Sequence, residues 1–590
     1  MLLNKEEINF WKKNQKNLDW ISYPKKIYNF DKKNNRFKWF EDGNLNACYN
    51  VIDRNILKGL KNKSAIKIAD NKGYLMEYTY GQLYIFINNF CKVLKNNYNL
   101  KEIKNVMIHG STSIEVIVSM LSCARLGITH CVVFQELSID AINKRIKIFD
   151  PDLFITIDNE INLKKIGNKI PKIRFTKHKV IKKKKNLINL HDQLNEVITN
   201  HIKCKKVPSD SNFFTLFTSG TTGEPKGIVH SLGGFLVYNS FSCKYHFGIN
   251  EKTIMLNTSN PGWINGNNYA VYGPLLFGAT IILFENPSIL LNINYLKLLL
   301  KKNKITIVYL PVTLIRMMRS LYLNSKIKSK HIITLGSMGE HLARNIAEWY
   351  STFFSIPKKA IVNGYYQTEN GSILSSPTFK ENINTAPHGS IGRPHRLIKL
   401  RLIKKINNYQ KYEFVVKKPW PGCMKMVLNG KKVWSKYWDK SNFFKLYDYG
   451  YKIKNNYYAN GRTDDVINIR GHRIGTAEVE AVVLQSDKVY EVAAVSVEDK
   501  VSGSELVLFI VSNTKNLNDK IDKIIINNFG KFAIPKKIYY VKSLPKTRSG
   551  KILRRILKNI ITINNIDTKK DMSTIQNPET INEIIKTIKS

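Results

Sequence analysis

Residues 213–230, Phe-Phe-Thr-Leu-Phe-Thr-Ser-Gly-Thr-Thr-Gly-Glu-Pro-Lys-Gly-Ile-Val-His, decide how the rest of the chain is read. The apolar run 213–217 predicts a buried strand, and Ile228, Val229 and His230 predict a second. Between them stand Gly220, Gly223 and Gly227, the hydroxyls of Thr218, Ser219, Thr221 and Thr222, and one cation, Lys226. Glycine lets a backbone turn tightly and bring its N–H groups close to an anion. The hydroxyls add donors and the lysine adds charge, so the chemistry is that of a phosphate cradle. A surface turn rich in Gly and Thr has the same composition, and the spacing is not the Gly-x-x-x-x-Gly-Lys-Ser/Thr of the common P-loop.

On both sides of this stretch, helical and strand patterns alternate. Before it come a helix over 80–90, a strand over 106–109, a buried helix over Ile114–Leu126 and a strand over 130–134. After it come strands over 281–284, 305–310 and 332–336. The alternation predicts α/β layers with mostly parallel sheets, and such sheets bind ligands beyond the carboxyl ends of their strands. Residues 1–50 read as an irregular packing arm, and 164–185 as a solvated, lysine-rich excursion. Past Gly461-Arg462-Thr463-Asp464-Asp465 the pattern restarts on a smaller scale. It predicts a helix capped by Thr476, strands over 492–497 and 505–512, a helix over 518–529 and a strand over 537–541. The division is therefore a large multi-layer domain, 1–463, and a small α+β domain, 464–590.

A chain of 590 residues is too long for one core, and with 43% hydrophobic residues most of it can fold. The net charge of +48 is spread widely and comes mostly from lysine. Asn and Ile are abundant too, and the three share AT-rich codons, so a compositional cause outranks a nucleic-acid footprint. No aromatic-studded basic motif of the RNA-recognition type occurs, and no specific nucleic-acid partner is expected. The seven cysteines form no C-x-x-C pair, as befits free thiols in a reducing compartment. The N-terminal residues lack a signal-peptide apolar core and no apolar run has membrane-spanning length. The expected protein is soluble and cytoplasmic, with no membrane partner.

The spelling at 218–227 resembles the signature loop of the AMP-forming acyl-CoA synthetases, the adenylate-forming superfamily, where it folds over the β- and γ-phosphates of ATP. Pro545-Lys546-Thr547-Arg548-Ser549-Gly550-Lys551-Ile552-Leu553-Arg554-Arg555 resembles the C-terminal signature of the same family. Lys551 matches the lysine that the family needs for adenylate formation. A nuclear-localisation or RNA-binding patch is the rival reading of that run. Lys38-Trp39-Phe40, Gly43-Asn44-Leu45-Asn46, Tyr49-Asn50 and Asp53-Arg54 resemble the first segment of acetyl- and propionyl-CoA synthetases, and residues 572–578 resemble their tail.

The resemblance implies a set of site residues. Thr218, Ser219, Gly220, Thr221, Thr222, Gly223 and Lys226 would hold ATP phosphates. Gly336-Ser337-Met338-Gly339-Glu340-His341 matches the family's Gly-Ser-x-Gly-Glu-Pro, which packs on adenine, with His341 in place of proline. Read without the family, it is a strand–turn–helix joint with Glu340 in the first helical turn. Asn363-Gly364-Tyr365-Tyr366-Gln367-Thr368-Glu369 resembles the Trp-Trp-Gln-Thr-Glu-Thr motif. There the threonine, here Thr368, touches the α-phosphate and the glutamate, here Glu369, helps hold Mg²⁺. Asp448 would take both ribose hydroxyls, with Arg462 and Arg473 also at the nucleotide, and Asp464 matches the hinge of a mobile C-terminal domain. Catalysis would then rest on Lys551, Thr368 and Glu369. ATP, Mg²⁺, CoA and a small carboxylic acid are the implied cofactors and partners, and the oligomeric state stays open.

The chain departs from the pattern where the acid and CoA would bind. Trp263, Ile264, Asn265, Met338 and Tyr366 occupy the acid pocket, and Tyr366 replaces the tryptophan that floors the acetate pocket. Tyrosine is smaller and polar, and an Asn265 amide left unpaired by an alkyl chain would penalise long acids. These changes suit propionate or a small polar acid such as acetoacetate. Asn265, Arg470, Gly471 and Lys165 are the matching CoA contacts, in a surface altered at Gln135, Glu136 and Asn162. A second family metal site would fall at Leu484, Ser486 and Val489, with Ser486 in place of histidine. The altered CoA surface keeps a second reading open, an adenylating enzyme that passes its acyl group to another thiol. A third, a basic nucleic-acid-binding protein, would show steep salt dependence and no pyrophosphate exchange.

Overall fold

The computed structural model describes residues 3–31, 36–158, 160–167, 169–175, 187–188, 201–219, 225–356, 361–379, 385–404, 412–439, 441, 443–463, 466–469, 472–499, 503–514, 516–546, 552–563, 575, 577 and 578–589. Among them, two large sheets carry the N-terminal part. One has the strand order Leu187–Ile188, Lys172–Phe175, Leu153–Thr156, Asn105–His109, Thr129–Val133, Asn212–Ser219, Pro225–Ser231, Met426–Val427. Its strands run parallel as far as Asn212–Ser219, and the last two join antiparallel. The other has the order Val362–Asn363, Thr334–Met338, Ile307–Pro311, Ile254–Asn257, Thr280–Phe284, Ser64–Ala69, Leu75–Thr79 and is parallel except at its final strand.

The alternating sequence produces this because its strands are apolar on both faces and its helices cover them. Thr280–Phe284 in the second sheet is buried throughout, and so is the helix Ile114–Leu126 that packs on Asn105–His109 and Thr129–Val133 of the first, capped by Ser113 Oγ and closed by Gly127 at φ +68°. An antiparallel sheet of Leu400–Lys404, Tyr412–Val416, Phe444–Ile453 and Asn456–Arg462 follows. The small C-terminal part pairs Val466–Ile469 with His472–Gly475, then packs two helices, Thr476–Val483 and Asn518–Phe529, beside a sheet of Glu491–Asp499, Gly503–Val511 and Lys537–Tyr540.

Four local expectations need correction. The arm is not irregular: Lys5–Asn14 is a helix with an Asn4/Glu7 capping box, and Tyr28–Asp31 pairs with Arg36–Trp39. The arm is held by ions that the sequence pattern does not show. Arg125 is buried and makes two bonds of 2.8 Å to the Asp53 carboxylate, and Arg54 donates to the carbonyl of Asn17 at 2.9 Å. Removing one partner of such a buried pair costs about 3–5 kcal/mol, because the other charge stays behind. The lysine-rich excursion contains a real strand, Lys172–Phe175, since Ile173 and Phe175 alternate into the core. Thr476 is the first helical residue and not the cap; the Glu478 carboxylate accepts from the Gly475 N–H at 3.1 Å instead. Glu340 is not in a helix, since the helix after it begins at Arg344.

Candidate active site

The hairpin around the Gly- and Thr-rich stretch forms as expected. Asn212–Ser219 and Pro225–Ser231 pair in register, with Thr218 opposite Lys226. Its tip, Gly220, Thr221, Thr222, Gly223 and Glu224, lies outside the described residues, as do Asp464, Arg470, Gly471 and Lys551 and the side chains of Ser219 and Arg473. The Lys226 ammonium stands 5.6 Å from the centre of the Tyr437 ring, and the Tyr437 hydroxyl donates to Glu369 Oε1 at 2.9 Å. Burial, and then the Glu369 carboxylate, push the Tyr437 phenol well above its ordinary range, so it stays a donor. One lysine at the hairpin and one carboxylate of the 363–369 segment thus share a tyrosine that no motif announced.

Glu369 and Thr368 are fixed from behind. The Glu369 carbonyl accepts from the Met424 N–H at 2.8 Å, and the Thr368 carbonyl lies 2.8 Å from His230 Nε2, which must be the protonated nitrogen. Burial pulls the His230 pKa down to about 4, so the ring is neutral. A carboxylate with one oxygen held by Tyr437 suits Mg²⁺, which takes one or two carboxylates and otherwise keeps waters and substrate phosphates. Among the described residues there is no cluster of three or more His, Cys, Asp or Glu that would make an all-protein cage.

The other carboxylate is Asp448, set opposite Arg462 across two paired strands. Its Oδ2 accepts from the Tyr365 hydroxyl at 2.7 Å and from Gln367 Nε2 at 2.5 Å, and Arg462 Nη1 stands 3.9 Å from its Oδ1. Tyr447, just before it, adopts a left-handed φ of +56°, rare outside glycine, and its ring lies under the Arg462 guanidinium at 5.9 Å. Aromatic, amide and guanidinium groups from separate segments therefore orient one carboxylate.

At the turn after Thr334–Met338, Gly339 takes φ +89° with open space where a Cβ would stand. Glu340 is paired with the Arg316 guanidinium and accepts from Thr313 Oγ1 at 3.3 Å. Desolvation lowers the His341 pKa. The Asn363 amide is committed to the protein: Ser337 Oγ donates to its Oδ1 at 3.0 Å, and its Nδ2 donates to the Ser390 carbonyl at 3.2 Å. Gly364 allows Ile373 to approach, since a Cβ would stand 3.0 Å from its Cδ1.

The residues expected to line the acid pocket gather at the carboxyl ends of the second sheet. Asn257, Tyr309 and Gly336 lie abreast on three adjacent strands. Gly336 is glycine because a Cβ would sit 2.5 Å from Cδ2 of Tyr309. Asn265 opens the wide helical turns of Gly266–Tyr272, a π-type irregularity of the kind that recurs at functional sites. Its Oδ1 accepts from Asn257 Nδ2 at 3.0 Å, and its Nδ2 donates to the Tyr366 hydroxyl at 2.5 Å. The Tyr366 and Tyr309 hydroxyls are 3.1 Å apart. Burial pushes the Tyr366 pKa up to about 12. Met338 packs in the cluster that contains Tyr309 and Tyr269. The Trp263 ring lies 4.8 Å from Phe134, against Gly262, and Ile264 is buried.

Asn265 is therefore not a lone amide waiting for an acid, as composition suggested; it is hydrogen-bonded on both its oxygen and its nitrogen. Asn257, Tyr309, Tyr437, Arg316 and His230 escape a reading by motif because none belongs to one. Tyr309 gives one signal, a tyrosine within an otherwise aliphatic run.

Lys165 ends the short turn Leu163–Lys165, with its side chain exposed. The Leu484 carbonyl accepts from Asn345 Nδ2 at 2.9 Å and the Ser486 carbonyl from the Val489 N–H at 3.1 Å, so two of these oxygens already have donors.

Comparisons with known proteins identify the family. The AMP-binding enzyme family matches residues 59–419, the AMP-binding enzyme C-terminal domain matches 478–551, and the acetyl-coenzyme A synthetase N-terminus matches 4–51. The chain is 32% identical over 574 residues to the acetyl-coenzyme A synthetase of Chlorobaculum tepidum, covering 91% of this chain and 85% of that one. It is 31% identical over 587 residues to acetyl-coenzyme A synthetase 2 of Candida albicans, covering 94% and 87%. The fold matches the acetoacetyl-CoA synthetase from Streptomyces lividans with a TM-score of 0.79 at 16% identity, over 98% of this chain and 92% of that one. No helix among the described residues is long and apolar enough to cross a membrane.

Proposed function

We infer the reaction from one premise: the chain belongs to the AMP-forming acyl-CoA synthetases of the acetyl-CoA synthetase branch and is an AMP-forming CoA ligase. Its proposed acid is a short-chain carboxylate of about two to four carbons. The observation that supports this is the hydrogen-bonded group of Asn265, Tyr309 and Tyr366 with Met338 in the neighbouring apolar cluster; as the proposed floor of the acid pocket, its polar groups would oppose a long alkyl chain.

In the first step a carboxylate oxygen attacks the α-phosphorus of ATP, a P–O bond forms, and pyrophosphate leaves. Thr218, Lys226 and the hairpin tip hold the phosphates, and Thr368 and Glu369 face them. Mg²⁺, held by Glu369, would neutralise phosphate charge. Asp448 takes the ribose diol as acceptor, its orientation fixed by Tyr365 and Gln367. Lys551 stabilises the developing charge. In the second step the CoA thiol attacks the acyl-AMP carbonyl; a C–S bond forms, AMP leaves and the thiol proton is released. A swing about Asp464, the proposed boundary between 1–463 and 464–590, exchanges Lys551 for the CoA-facing residues Arg470 and Gly471.

ATP–pyrophosphate exchange across a panel of acids, followed by thioester formation with and without CoA, tests the reading. Exchange with short acids and thioester only with CoA is expected. Exchange without CoA-thioester would favour another thiol acceptor, for which the altered residues Gln135, Glu136 and Asn162 are the motive.

A further inference from the structure

We propose that the acid pocket is built to receive a hydrogen-bond acceptor on the substrate's tail, so that a short 3-oxo or 3-hydroxy acid is used in preference to the alkyl acid of the same length. The proposal rests on the adenylating reading above and deepens it. It follows from counting hydrogens. The hydroxyls of Tyr309 and Tyr366 lie 3.1 Å apart and bring two O–H hydrogens, of which only one can lie between the two oxygens. Asn265 Nδ2 donates to the Tyr366 oxygen, so it brings hydrogens and accepts none there. The one acceptor Asn265 has, Oδ1, is turned away to Asn257 Nδ2. One hydroxyl hydrogen of the pair therefore has no acceptor among the described residues.

Burial decides which one. Tyr309 is fully buried, whereas Tyr366 as a whole residue is only partly buried. Leaving a donor without an acceptor costs most where no water reaches. With Tyr309 donating to Tyr366, the Tyr366 hydrogen is the one left for the tail of an acid to accept. Met338, buried beside Tyr309, gives that tail an apolar wall. An apolar wall and one donor match a chain of about four carbons with an oxygen near its middle. An alkyl tail would cover the hydrogen and leave it unbonded. Sites that hydrogen-bond a substrate oxygen discriminate strongly against the analogue that lacks it. Tyr366 is then a specificity-determining residue, and Tyr309 a positioning residue that fixes which way its hydrogen faces.

The test compares 3-oxobutanoate and 3-hydroxybutyrate with butyrate, and includes acetate, by kcat/KM in ATP–pyrophosphate exchange. Wild type, Tyr366→Phe and Tyr309→Phe are the proteins. An oxygenated acid should exceed butyrate by roughly 10- to 100-fold in wild type. That ratio should collapse toward one in Tyr366→Phe and fall partway in Tyr309→Phe, a pattern that general loss of folding would not produce. Should the Tyr366 variant fail to fold, the wild-type ratio decides alone. If butyrate equals or exceeds both oxygenated acids, or if the ratio survives in a folded Tyr366→Phe, the proposal is wrong while the ligase reading stands. If no short acid supports exchange, the ligase reading falls and takes this proposal with it.

Discussion

The two sides of the crevice solve the problem of polar groups in a protein differently. On the proposed nucleotide side, Asp448 and Glu369 are carboxylates gripped by donors from other segments: Tyr365 and Gln367 hold one, Tyr437 the other. On the acid side no charge is present in the Asn257–Asn265–Tyr366–Tyr309 chain, and its members bond to one another. The first arrangement leaves charge for a charged ligand. The second is nearly self-sufficient and presents a single hydrogen. A charged side should govern whether the reaction runs, and a neutral, nearly satisfied side should govern which acid runs best.

The largest effect concerns Lys551, the proposed catalytic cation. Lys551→Ala should lower acyl-AMP formation by about a thousandfold while sparing thioester formation from supplied acyl-AMP. Equal loss of both half-reactions would argue against a charge-stabilising role and for a folding defect. Next in size, Asp448→Ala should raise the KM for ATP by about ten- to a hundredfold, as expected when a charged hydrogen-bond partner is lost. An unchanged KM for ATP would remove Asp448 from the ribose.

A smaller effect separates the two sides by pH. His230 stands behind Thr368, neutral, with a pKa near 4 against an ordinary value of 6.5, and its Nδ1 has no partner among the described residues. His109 is likewise pulled down to about 4 by burial, between Thr156 Oγ1 and the Gln135 carbonyl. A histidine with a lowered folded pKa favours folding above its unfolded pKa, and that contribution is lost as pH falls toward the folded pKa. Thermal unfolding temperature should therefore drop between pH 6.5 and pH 4, and His230→Gln should flatten part of the drop. An unaltered slope in that variant would show that His230 is not the titrating group.

Legibility in the sequence follows the same division. Much of the proposed nucleotide side is written in contiguous stretches, because a phosphate loop and a carboxylate beside it are local backbone problems; Tyr437 and the grip on Asp448 are not. Its two segments, 218–227 and 363–369, are each spelled without a gap, so their residues can be numbered from the amino-acid order alone. The parallel sheets are legible too, since strands such as Thr280–Phe284 are apolar on both faces. The acid side is not written this way. Asn257 and Tyr309 meet Asn265 and Tyr366 only because strands Ile254–Asn257 and Ile307–Pro311 are neighbours in register. Pairing decides whether an asparagine is a lone polar group or half of a hydrogen bond, and pairing across strands is a tertiary fact. The same holds for Arg125 with Asp53, which turns an apparently loose arm into a fixed one.

The most direct measurement is a crossed comparison of two variants, Tyr366→Trp and Asp448→Ala, over acetate, propionate, 3-oxobutanoate and butyrate at varied ATP. The account predicts that Asp448→Ala lowers exchange with every acid by a similar factor, leaving their ranking unchanged. Tyr366→Trp should instead reorder the acids by about tenfold toward acetate, with the KM for ATP within a factor of about two. A reordering by Asp448→Ala, or a Tyr366→Trp variant that changes the KM for ATP and leaves the ranking intact, would contradict the division of the crevice into a charged side and a neutral one.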